Sequence, residues 1–558
     1  MSTATIEQPA AEAASATADS LDPCDSSAVG GRAAHVVLVL LLLGCALVRF
    51  WRAPVDAGGR LTTPDGAEYA LAAHRLAAHG TLDIELAGAR FPSRYPPLFS
   101  AMLAPVYFVA PGEIGNAIVV VLGFAMLMVG AACVLGWRIA GTWGAATASM
   151  AVIFHPLIAE FARTIMSDLP VAALAVVGLA VFLRLKRPAE HHSQGWTWLL
   201  AGLIVAIAAG LRPLAGFFLL PFLALLVLSG RRGVVVRFAA LLGPMLLLGV
   251  VTGIYNHDRF GAWWRTGYHF WCPIPYEFPH LTWSWRFLED NARLFARPIL
   301  GLTVIGGLAG ITSLFVRKHA TGPGVAAFFV LAALPISVAH LYYFHVETRF
   351  HLALVALCCV AGAAGLILWL PRCVRSRPWG AVVLAAMGLA LARPPQDVHG
   401  SYRESAQYLA TYVPPGATLV TGADPVQLDP LVLRPARRQW VPVWRRQNYA
   451  GHAIAPQPIQ LPETEVLWPG THRAPALMTA GAREAVAWTA TERPDLLAKR
   501  MAGGPGVFFD AASLAFGSEP YKRMHRLYVM QPIDPQGRIM RLLSVRPSEE
   551  ADKPEAAE

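Results

Sequence analysis

The chain has 558 residues, of which 55% are hydrophobic and only 15% are charged. This composition excludes an ordinary soluble protein and is typical of a chain with many membrane spans. The net charge of +10 does not indicate nucleic-acid binding, because the arginines cluster in short segments between apolar runs.

The first part of the chain predicts a polytopic α-helical membrane protein. Residues 1–33 are small, polar and mildly acidic, and they predict a disordered cytoplasmic tail rather than a signal peptide. Apolar runs of roughly 20 residues, enough to cross the membrane core, then recur. We predict eleven spans, at about 34–51, 114–136, 144–163, 169–184, 196–211, 213–229, 234–255, 298–316, 323–344, 350–370 and 379–393.

The apolar segment 97–111 is short and contains three prolines. If it crossed the membrane, every later loop would change sides and the basic loops would face outward. We therefore predict that it is re-entrant or lies on the membrane surface.

Basic residues set the predicted orientation. The segments 184–188, 231–237, 316–319 and 371–377 are basic, and the positive-inside rule places them in the cytoplasm. The outer loops 52–113 and 256–297 then face outward. Residues 34–395 form the transmembrane domain in this prediction, with the N-terminus inside and the C-terminus outside.

A small α/β domain is predicted after the last span, at 396–546. Helical patterns occur at 401–413 and 483–501, and strand patterns at 417–422, 438–444 and 506–510. Segments 526–533 and 537–545 predict a hairpin, and residues 547–558 an acidic disordered tail. The seven cysteines end at Cys373, so this domain has no disulfide.

Asp65 and Glu68 begin a helical segment just after the first span. Their spacing is that of a capping box, in which Asp65 caps the amide of Glu68 and Glu68 reaches back. The helix would then lie on the membrane surface, with Arg75 on its polar face and Tyr69, Ala72, Ala73 and Leu76 toward lipid. Alternatively, Asp65 faces a reaction centre at the outer surface, which a capped aspartate also permits.

A second acidic position is Asp168, between two predicted spans. Ser167 or Asp168 could cap the next span, with Pro170 in its first turn. Arg163 and Glu160 could form an ion pair on one helix face, and charges at this depth are often functional. Both interpretations stay open.

Cationic side chains are predicted on the same outer face. They are Arg94, which precedes Tyr95 in FPSRYPPLF, Arg212 in GLRPLAGF, and His345 and Arg349 in FHVETRFHLAL. A guanidinium binds a phosphate through two parallel hydrogen bonds. The alternative for each arginine is that it reaches the lipid headgroups from a span end. Convergence of several on the face with both aspartates favours phosphate binding.

Residues 255–285 are dense in Trp, Tyr, Phe and Pro. They fit either the aromatic belt of the membrane interface or a groove for a prenyl chain or a sugar ring. His257 and Asp258 only weakly suggest a metal, so a divalent metal is possible but no metal site or other cofactor is assigned.

The order of these motifs resembles the type C (GT-C) glycosyltransferases of the protein O-mannosyltransferase and aminoarabinose transferase group. The resemblance covers about residues 34–545 and rests, in order, on DGAEYALAAHRLAAHG, RYPPLF, SDLP, GLRPL, YNHDRFG leading to TGY, and ETRFHLALVAL. It implies an inverting transferase in the bacterial inner membrane. The enzyme would move a sugar from a polyprenyl-phosphate carrier to an acceptor hydroxyl or phosphate group of a lipid, glycan or protein.

Carried over by position, the resemblance implies that Asp65 and Asp168 are catalytic and that Arg349, with Arg212, holds the carrier phosphate. We also predict substrate-binding roles for Glu68, Arg94, Tyr95, Arg163 and His345. Many relatives have adjacent acidic residues in the first loop, whereas Gly66 and Ala67 separate Asp65 from Glu68 here, so the role of Glu68 stays open.

The predicted partners are the polyprenyl-phosphate sugar donor, an unidentified acceptor and membrane lipid, with no nucleic acid. The main alternative is a polytopic transporter of a small polar or lipid-linked solute. Transporters often have similar halves, which this sequence does not show. A further alternative is a binding protein that kept the fold without the activity.

Overall fold

Most of the chain that the structure describes is helical. The structure is a computed structural model, and it describes residues 25–51, 64–86, 89–111, 114–186, 194–228, 233–271, 282–393, 407–421, 439–442, 490, 494–513 and 519–547. The elements of the first half are α1 (Asp25–Phe50), α2 (Pro64–His79), β1 (Asp83–Leu86), β2 (Ala89–Pro92), α3 (Pro97–Val109), α4 (Ile118–Phe154), α5 (Pro156–Phe161), α6 (Asp168–Leu185), α7 (Gln194–Leu211), α8 (Leu219–Leu228) and α9 (Val234–Phe260).

The helices that follow, up to residue 391, are α10 (Gly267–Trp271), α11 (Leu288–Arg293), α12 (Pro298–Val316), α13 (Gly322–Phe328), α14 (Leu334–Leu341), α15 (Leu352–Leu366), α16 (Arg372–Arg375) and α17 (Pro378–Leu391). A π-helical turn, Phe329–Ala333, joins α13 to α14, and 3-10 turns at Pro213–Phe218 and Thr348–His351 lead into α8 and α15.

The predicted polytopic helical fold is confirmed. Seven segments among the described residues are long and apolar enough to cross a membrane: Ala33–Phe50, Gly115–Phe154, Asp168–Leu185, Val234–Phe260, Pro298–Val316, Gly322–Leu341 and Thr348–Trp369. Shorter apolar helices are Pro97–Val109, Gly195–Leu211, Pro213–Leu228 and Pro378–Leu391. The count of eleven spans stays a prediction, because several of the predicted spans coincide with these shorter helices.

The segment α4 consists of two helical arms that fold back on each other as a hairpin. Its backbone leaves the helical region at Gly141, where φ is 63°, a conformation that glycine adopts readily because it has no Cβ. Beyond this turn the chain runs back, and the Ser149 hydroxyl lies 3.5 Å from the Val129 carbonyl oxygen, twenty residues earlier. A Cβ placed on Gly136 would lie 2.1 Å from the Gly144 oxygen. The reversal agrees with the two spans predicted at 114–136 and 144–163.

The second arm of this hairpin ends earlier than predicted. His155 is extended, with ψ of 121°, and separates α4 from α5. The residue before a proline avoids the helical conformation, and Pro156 follows directly. The chain then runs through an irregular turn that delivers Ser167 and Asp168 to the start of α6.

Helix α2 is buried inside the protein, so the prediction that it lies on the membrane surface is wrong. Ala72 and Ala73 are fully buried and Tyr69 is 3% exposed, because α3 covers this face. The ring of Phe99 packs edge-on against Tyr69, with centroids 4.8 Å apart, and the Ser100 hydroxyl donates to the Tyr69 carbonyl oxygen at 3.1 Å.

The opposite side of α2 is tied to the small β1–β2 hairpin. Arg75 Nε lies 2.6 Å from a carboxylate oxygen of Asp83, and its Nη1 lies 2.5 Å from Glu85. Strands β1 and β2 pair antiparallel, so this hairpin fixes where the following segment, Ser93–Tyr95, returns to the helix.

The predicted C-terminal α/β unit is confirmed among the described residues. It contains β3 (Thr418–Thr421), β4 (Gln439–Pro442), α18 (Pro494–Gly503), β5 (Val507–Asp510), α19 (Glu519–Leu527), β6 (Tyr528–Pro532) and β7 (Ile539–Val545). The sheet order is β4-β3-β5-β7-β6. Strand β3 runs parallel to β4 and β5, whereas β7 runs antiparallel to β5 and β6.

Each strand predicted in this domain is present. Residues 401–406 and most of 483–493 lie outside the described part, so only the ends of the two helices predicted at 401–413 and 483–501 are seen. The domain boundaries at 396 and 546 and its position outside the membrane stay predictions.

Candidate active site

A cavity of about 760 Å³ lies where α2, α6 and the turn before α15 begin. Predicted site residues that line it are Asp65, Arg94, Tyr95, Asp168, Arg212, His345 and Arg349. The cavity therefore gathers charged side chains from segments that are far apart in the sequence.

Asp65 pairs with Arg349. Arg349 Nη1 donates to a carboxylate oxygen of Asp65 at 2.7 Å, across 284 positions of sequence. On its other edge, Arg349 Nε contacts the carboxylate of Glu347. One guanidinium thus carries two acidic partners.

The predicted capping box between Asp65 and Glu68 is not formed. Helix α2 begins at Pro64, so Asp65 lies within its first turn rather than before it. The Glu68 carboxylate accepts hydrogen bonds from the Ser93 hydroxyl, at 3.1 Å, and from the Arg94 backbone amide. Tertiary partners have replaced the local pattern, because both acids find donors from other segments.

The Asp65 carboxyl is ionised in this setting. Burial alone would raise its pKa, but the charges of Arg349 and Arg94, and hydrogen bonds from Tyr95 and Arg349, outweigh burial and hold the pKa below its ordinary value. Burial, together with the Asp65 charge, raises the pKa of the Tyr95 phenol well above its ordinary range. Tyr95 therefore stays protonated and donates to Asp65.

Asp168 forms a second ion pair, with Arg212. Arg212 Nη2 lies 2.7 Å from the Asp168 carboxylate, whose side chain is 1% exposed. Arg212 Nε donates to the Ser167 hydroxyl at 3.3 Å, and the Tyr69 hydroxyl lies 3.3 Å from the same oxygen. Ser167 makes no side-chain cap on α6, so the capping interpretation of Ser167 is wrong.

Phe350 connects the two ion pairs. Its ring lies 5.2 Å from the Arg212 guanidinium carbon and 5.4 Å from that of Arg349. The His340 ring stacks on Phe350 at a centroid distance of 4.7 Å and an angle of 12°. Guanidinium groups are attracted to aromatic faces at this range, so Phe350 helps to fix both cations.

Two of the predicted substrate-binding residues, Glu68 and Arg163, do not line the cavity. Glu68 is 1% exposed and lies behind Arg94, with 3.5 Å between its carboxylate and Arg94 Nε. It holds the Arg94 segment rather than facing the cavity. Arg163 is buried and lies outside the cavity lining, whereas Glu160 lines the cavity.

Several lining residues were not predicted as site residues, among them Tyr69, Tyr268, His340, Glu347 and Phe350. Glu347 and Phe350 flank Arg349 in ETRFH, and Tyr268 belongs to the TGY motif, so neighbourhood in these motifs was the available signal. His340 stands in an apolar span without such a neighbour, and only the fold brings it to the site.

The aromatic segment 255–285 has both exposed and cavity-lining members, and its two predicted uses stay predictions. Trp264 and Trp285 are exposed, as expected of an interfacial belt, whereas Tyr268 and Trp283 line the cavity. Residues 272–281 lie outside the described part of the chain.

A metal site is not evident in the described ranges, where no group of three or more His, Cys, Asp or Glu side chains is arranged to hold an ion. His257 and Asp258 are both exposed, and Asp258 lies 3.5 Å from Arg259.

No protein-family model matches the chain, and no curated protein matches its sequence significantly. Among solved structures, the apo crystal structure of ArnT, the aminoarabinose transferase from Cupriavidus metallidurans, matches with a TM-score of 0.56 at 14% identity, over 92% of this chain and 98% of ArnT. ArnT bound to undecaprenyl phosphate matches with a TM-score of 0.55 at 13% identity, over 95% of this chain and 100% of ArnT. The archaeal oligosaccharyltransferase AglB from Archaeoglobus fulgidus matches with a TM-score of 0.43 at 13% identity, over 94% of this chain and 75% of AglB. The chain therefore has the GT-C fold of ArnT, the fold that its sequence motifs resemble.

Proposed function

We propose that this protein is an inverting membrane glycosyltransferase that takes a sugar from a polyprenyl-phosphate carrier and transfers it to an acceptor hydroxyl or phosphate group. The observation that carries the proposal is the pair of aspartates, Asp65 and Asp168, each held by an arginine in one cavity. A transfer of this kind needs a base for the acceptor and cations for a phosphate leaving group, and this cavity contains both.

The cationic groups suit a lipid-linked phosphate. Arg94, Arg212 and Arg349 line the same cavity, and a guanidinium binds a phosphate with two parallel hydrogen bonds. Apolar side chains such as Leu214, Ile336 and Leu352 line it as well, as a prenyl chain requires. One of the matching ArnT structures has undecaprenyl phosphate bound, which supports the same class of donor here.

The reaction then follows from the placement of charge. The acceptor oxygen forms a bond to the anomeric carbon, from the side opposite the carrier, while the bond from this carbon to the phosphate oxygen breaks. The electron pair stays on the phosphate, where Arg349 and Arg212 stabilise the charge that develops. A hydroxyl acceptor passes its proton to Asp65, and such general base assistance is worth about 10²–10⁴ in rate, whereas a phosphate acceptor attacks through an oxygen that is already ionised.

Asp168 takes the second acidic role. It lies at the first residue of α6, beside Ser167 and Arg212, and we assign it to orienting the acceptor. His345 and Tyr95 are further polar groups in the cavity wall.

The direction of the helices supports an outward-facing site. Helix α6 begins at the cavity with Asp168 and ends near Arg184 and Lys186, and α12 ends beside Arg317 and Lys318. These two basic segments thus lie at the helix ends away from the cavity. If they are cytoplasmic, the cavity opens on the outer face of the bacterial inner membrane.

Binding of the carrier tests this proposal. The purified protein should be stabilised against thermal unfolding by undecaprenyl phosphate but not by undecaprenol, which lacks the phosphate. A ligand at 100 times its Kd stabilises by about 2.7 kcal/mol. Arg349→Ala should remove the effect, whereas Arg293→Ala, which alters an exposed ion pair with Glu289, should retain it. Stabilisation by free sugars alone would favour the transporter alternative.

A further inference from the structure

Arg349 is shared between two acids of different origin. Asp65 comes from α2 and contacts Nη1, whereas Glu347 lies two residues before Arg349 and contacts Nε. The same Glu347 carboxylate also lies 2.7 Å from His345 Nε2. All of these groups line the cavity.

The Asp65–Arg349 pair presents a chemical conflict. A donor phosphate needs the outer nitrogens of the Arg349 guanidinium, and the Asp65 carboxylate occupies one of them. At the same time, a carboxylate that is bound to a guanidinium is a weaker base than a free one. The pair therefore blocks both of the roles that the proposed function gives to its members.

The two acids differ in where their partners lie. Glu347 is joined to His345 and Arg349 within one short segment of chain, so its position follows from local geometry. Asp65 belongs to a separate helix and also receives a hydrogen bond from Tyr95 and the charge of Arg94. Asp65 can thus leave Arg349 and still have partners, whereas Glu347 contacts His345 and Arg349 themselves.

We propose that Glu347 is a positioning residue that keeps the Arg349 guanidinium oriented, and that the donor phosphate displaces Asp65 from Arg349. This inference rests on the proposed function. In the exchange, the phosphate takes Nη1 and Nη2, Glu347 keeps Nε, and Asp65 turns to the acceptor. The base is then released only when a donor is in place.

The affinity of undecaprenyl phosphate for variants of the two acids tests the exchange. Asp65→Asn removes the competitor of the phosphate, so binding should become about tenfold tighter than in the unaltered protein. Glu347→Gln removes the group that orients the guanidinium, so binding should become weaker. If the acids acted only by repelling the phosphate, both variants would bind it more tightly, since both acids contact the same guanidinium.

Control variants show whether a change in affinity comes from the placement of Arg349 or from a general loss of structure. Asp65→Ser, which is smaller and also neutral, should bind more tightly like Asp65→Asn. Glu347→Asp should restore part of the affinity that Glu347→Gln loses, and in a transfer assay Glu347→Gln should raise KM for the donor more than it lowers kcat. Glu289→Gln removes an acid from the exposed Arg293 pair and should leave the affinity unchanged.

The outcomes distinguish the exchange from the proposed function. If the unaltered protein binds no undecaprenyl phosphate, the proposed function is refuted and the exchange with it. If it binds, but Asp65→Asn and Asp65→Ser do not bind more tightly, the exchange alone is refuted. Tighter binding by Glu347→Gln would refute the positioning role of Glu347.

Discussion

The reversal of α4 at Gly141 decides whether Asp65 and Asp168 share one cavity. A straight helix of 37 residues would be about 55 Å long, nearly twice the membrane core of about 30 Å. Such a helix would carry Asp168 far from Asp65. Gly136→Ala tests the reversal, because only a folded-back arm brings Gly144 against Gly136.

The structure gives the size of the effect. A Cβ on residue 136 would lie 2.1 Å from the Gly144 oxygen, where ordinary contact begins at 3.4 Å. The arms must therefore separate by more than about 1 Å, and overpacking of this kind costs about 1–3 kcal/mol. Gly130, on the same arm, has nothing within 4 Å of its Cβ position. Alanine favours a helix over glycine by about 0.5–1 kcal/mol at either site.

We therefore expect Gly136→Ala to be less stable than Gly130→Ala by about 1–3 kcal/mol. The measurement is the unfolding of both purified variants and the unaltered protein in the same detergent, by titration with a denaturant. In a straight helix neither glycine would have a close neighbour, and both variants would be more stable than the parent. Equal stabilisation of the two variants would refute the hairpin and the site built on it.

Three further predictions concern the charged and aromatic groups. Arg212→Gln leaves the buried Asp168 carboxylate unpaired and should destabilise the protein by about 3–5 kcal/mol. In a double-mutant cycle, adding Asp168→Asn should recover part of the lost stability. Phe350→Leu removes the ring between the two guanidiniums, each contact being worth about 0.5–1 kcal/mol, and should weaken undecaprenyl phosphate binding several-fold, unlike Phe350→Tyr. Burial raises the pKa of Asp510 to about 6. The folded state thus retains the Asp510 proton at a pH where the unfolded chain has lost it. The stabilisation from this proton is fully present below about pH 4 and is lost as pH rises through about 6. Unfolding temperatures measured between these pH values should fall as pH rises, and Asp510→Asn should flatten this dependence.

Each of these three predictions would be contradicted by a specific result. Additive effects of Arg212→Gln and Asp168→Asn would mean that the two residues do not interact energetically. If Phe350→Leu bound undecaprenyl phosphate as tightly as the unaltered protein, the ring would not help to hold the two guanidinium groups. A decline with pH that persists unchanged in Asp510→Asn would place its origin in another group.

The features predicted correctly from the sequence are those that local patterns determine. Apolar runs mark the helices because length and hydrophobicity act within each segment, and alternating residues mark the strands of the C-terminal sheet. The motifs around Asp65, Asp168, Arg212 and Arg349 also indicated residues that the fold brings into one cavity.

The errors arose where distant partners replaced local ones. The Asp65–Glu68 spacing fits a capping box, but Arg349 lies 284 positions away and no local pattern indicates it. The alanine-rich face of α2 predicted a surface helix, yet its small side chains allow close packing inside the protein. Likewise, the fold alone brings Asp65 to Arg349 and Arg212 to Phe350, so these contacts could not be read from the local sequence.

The transfer reaction itself tests the central claim most directly. The purified protein in lipid vesicles would be given undecaprenyl-phosphate-linked hexoses and pentoses with a labelled sugar, together with an envelope extract as the acceptor source. We expect transfer of the label with release of undecaprenyl phosphate. Asp65→Asn should slow transfer by about 10²–10⁴ while still binding the carrier, and Arg349→Ala should lose binding. Transfer by Asp65→Asn at the parental rate would contradict the assignment of Asp65 as the base, and label that enters the vesicles without release from its carrier would contradict a transferase.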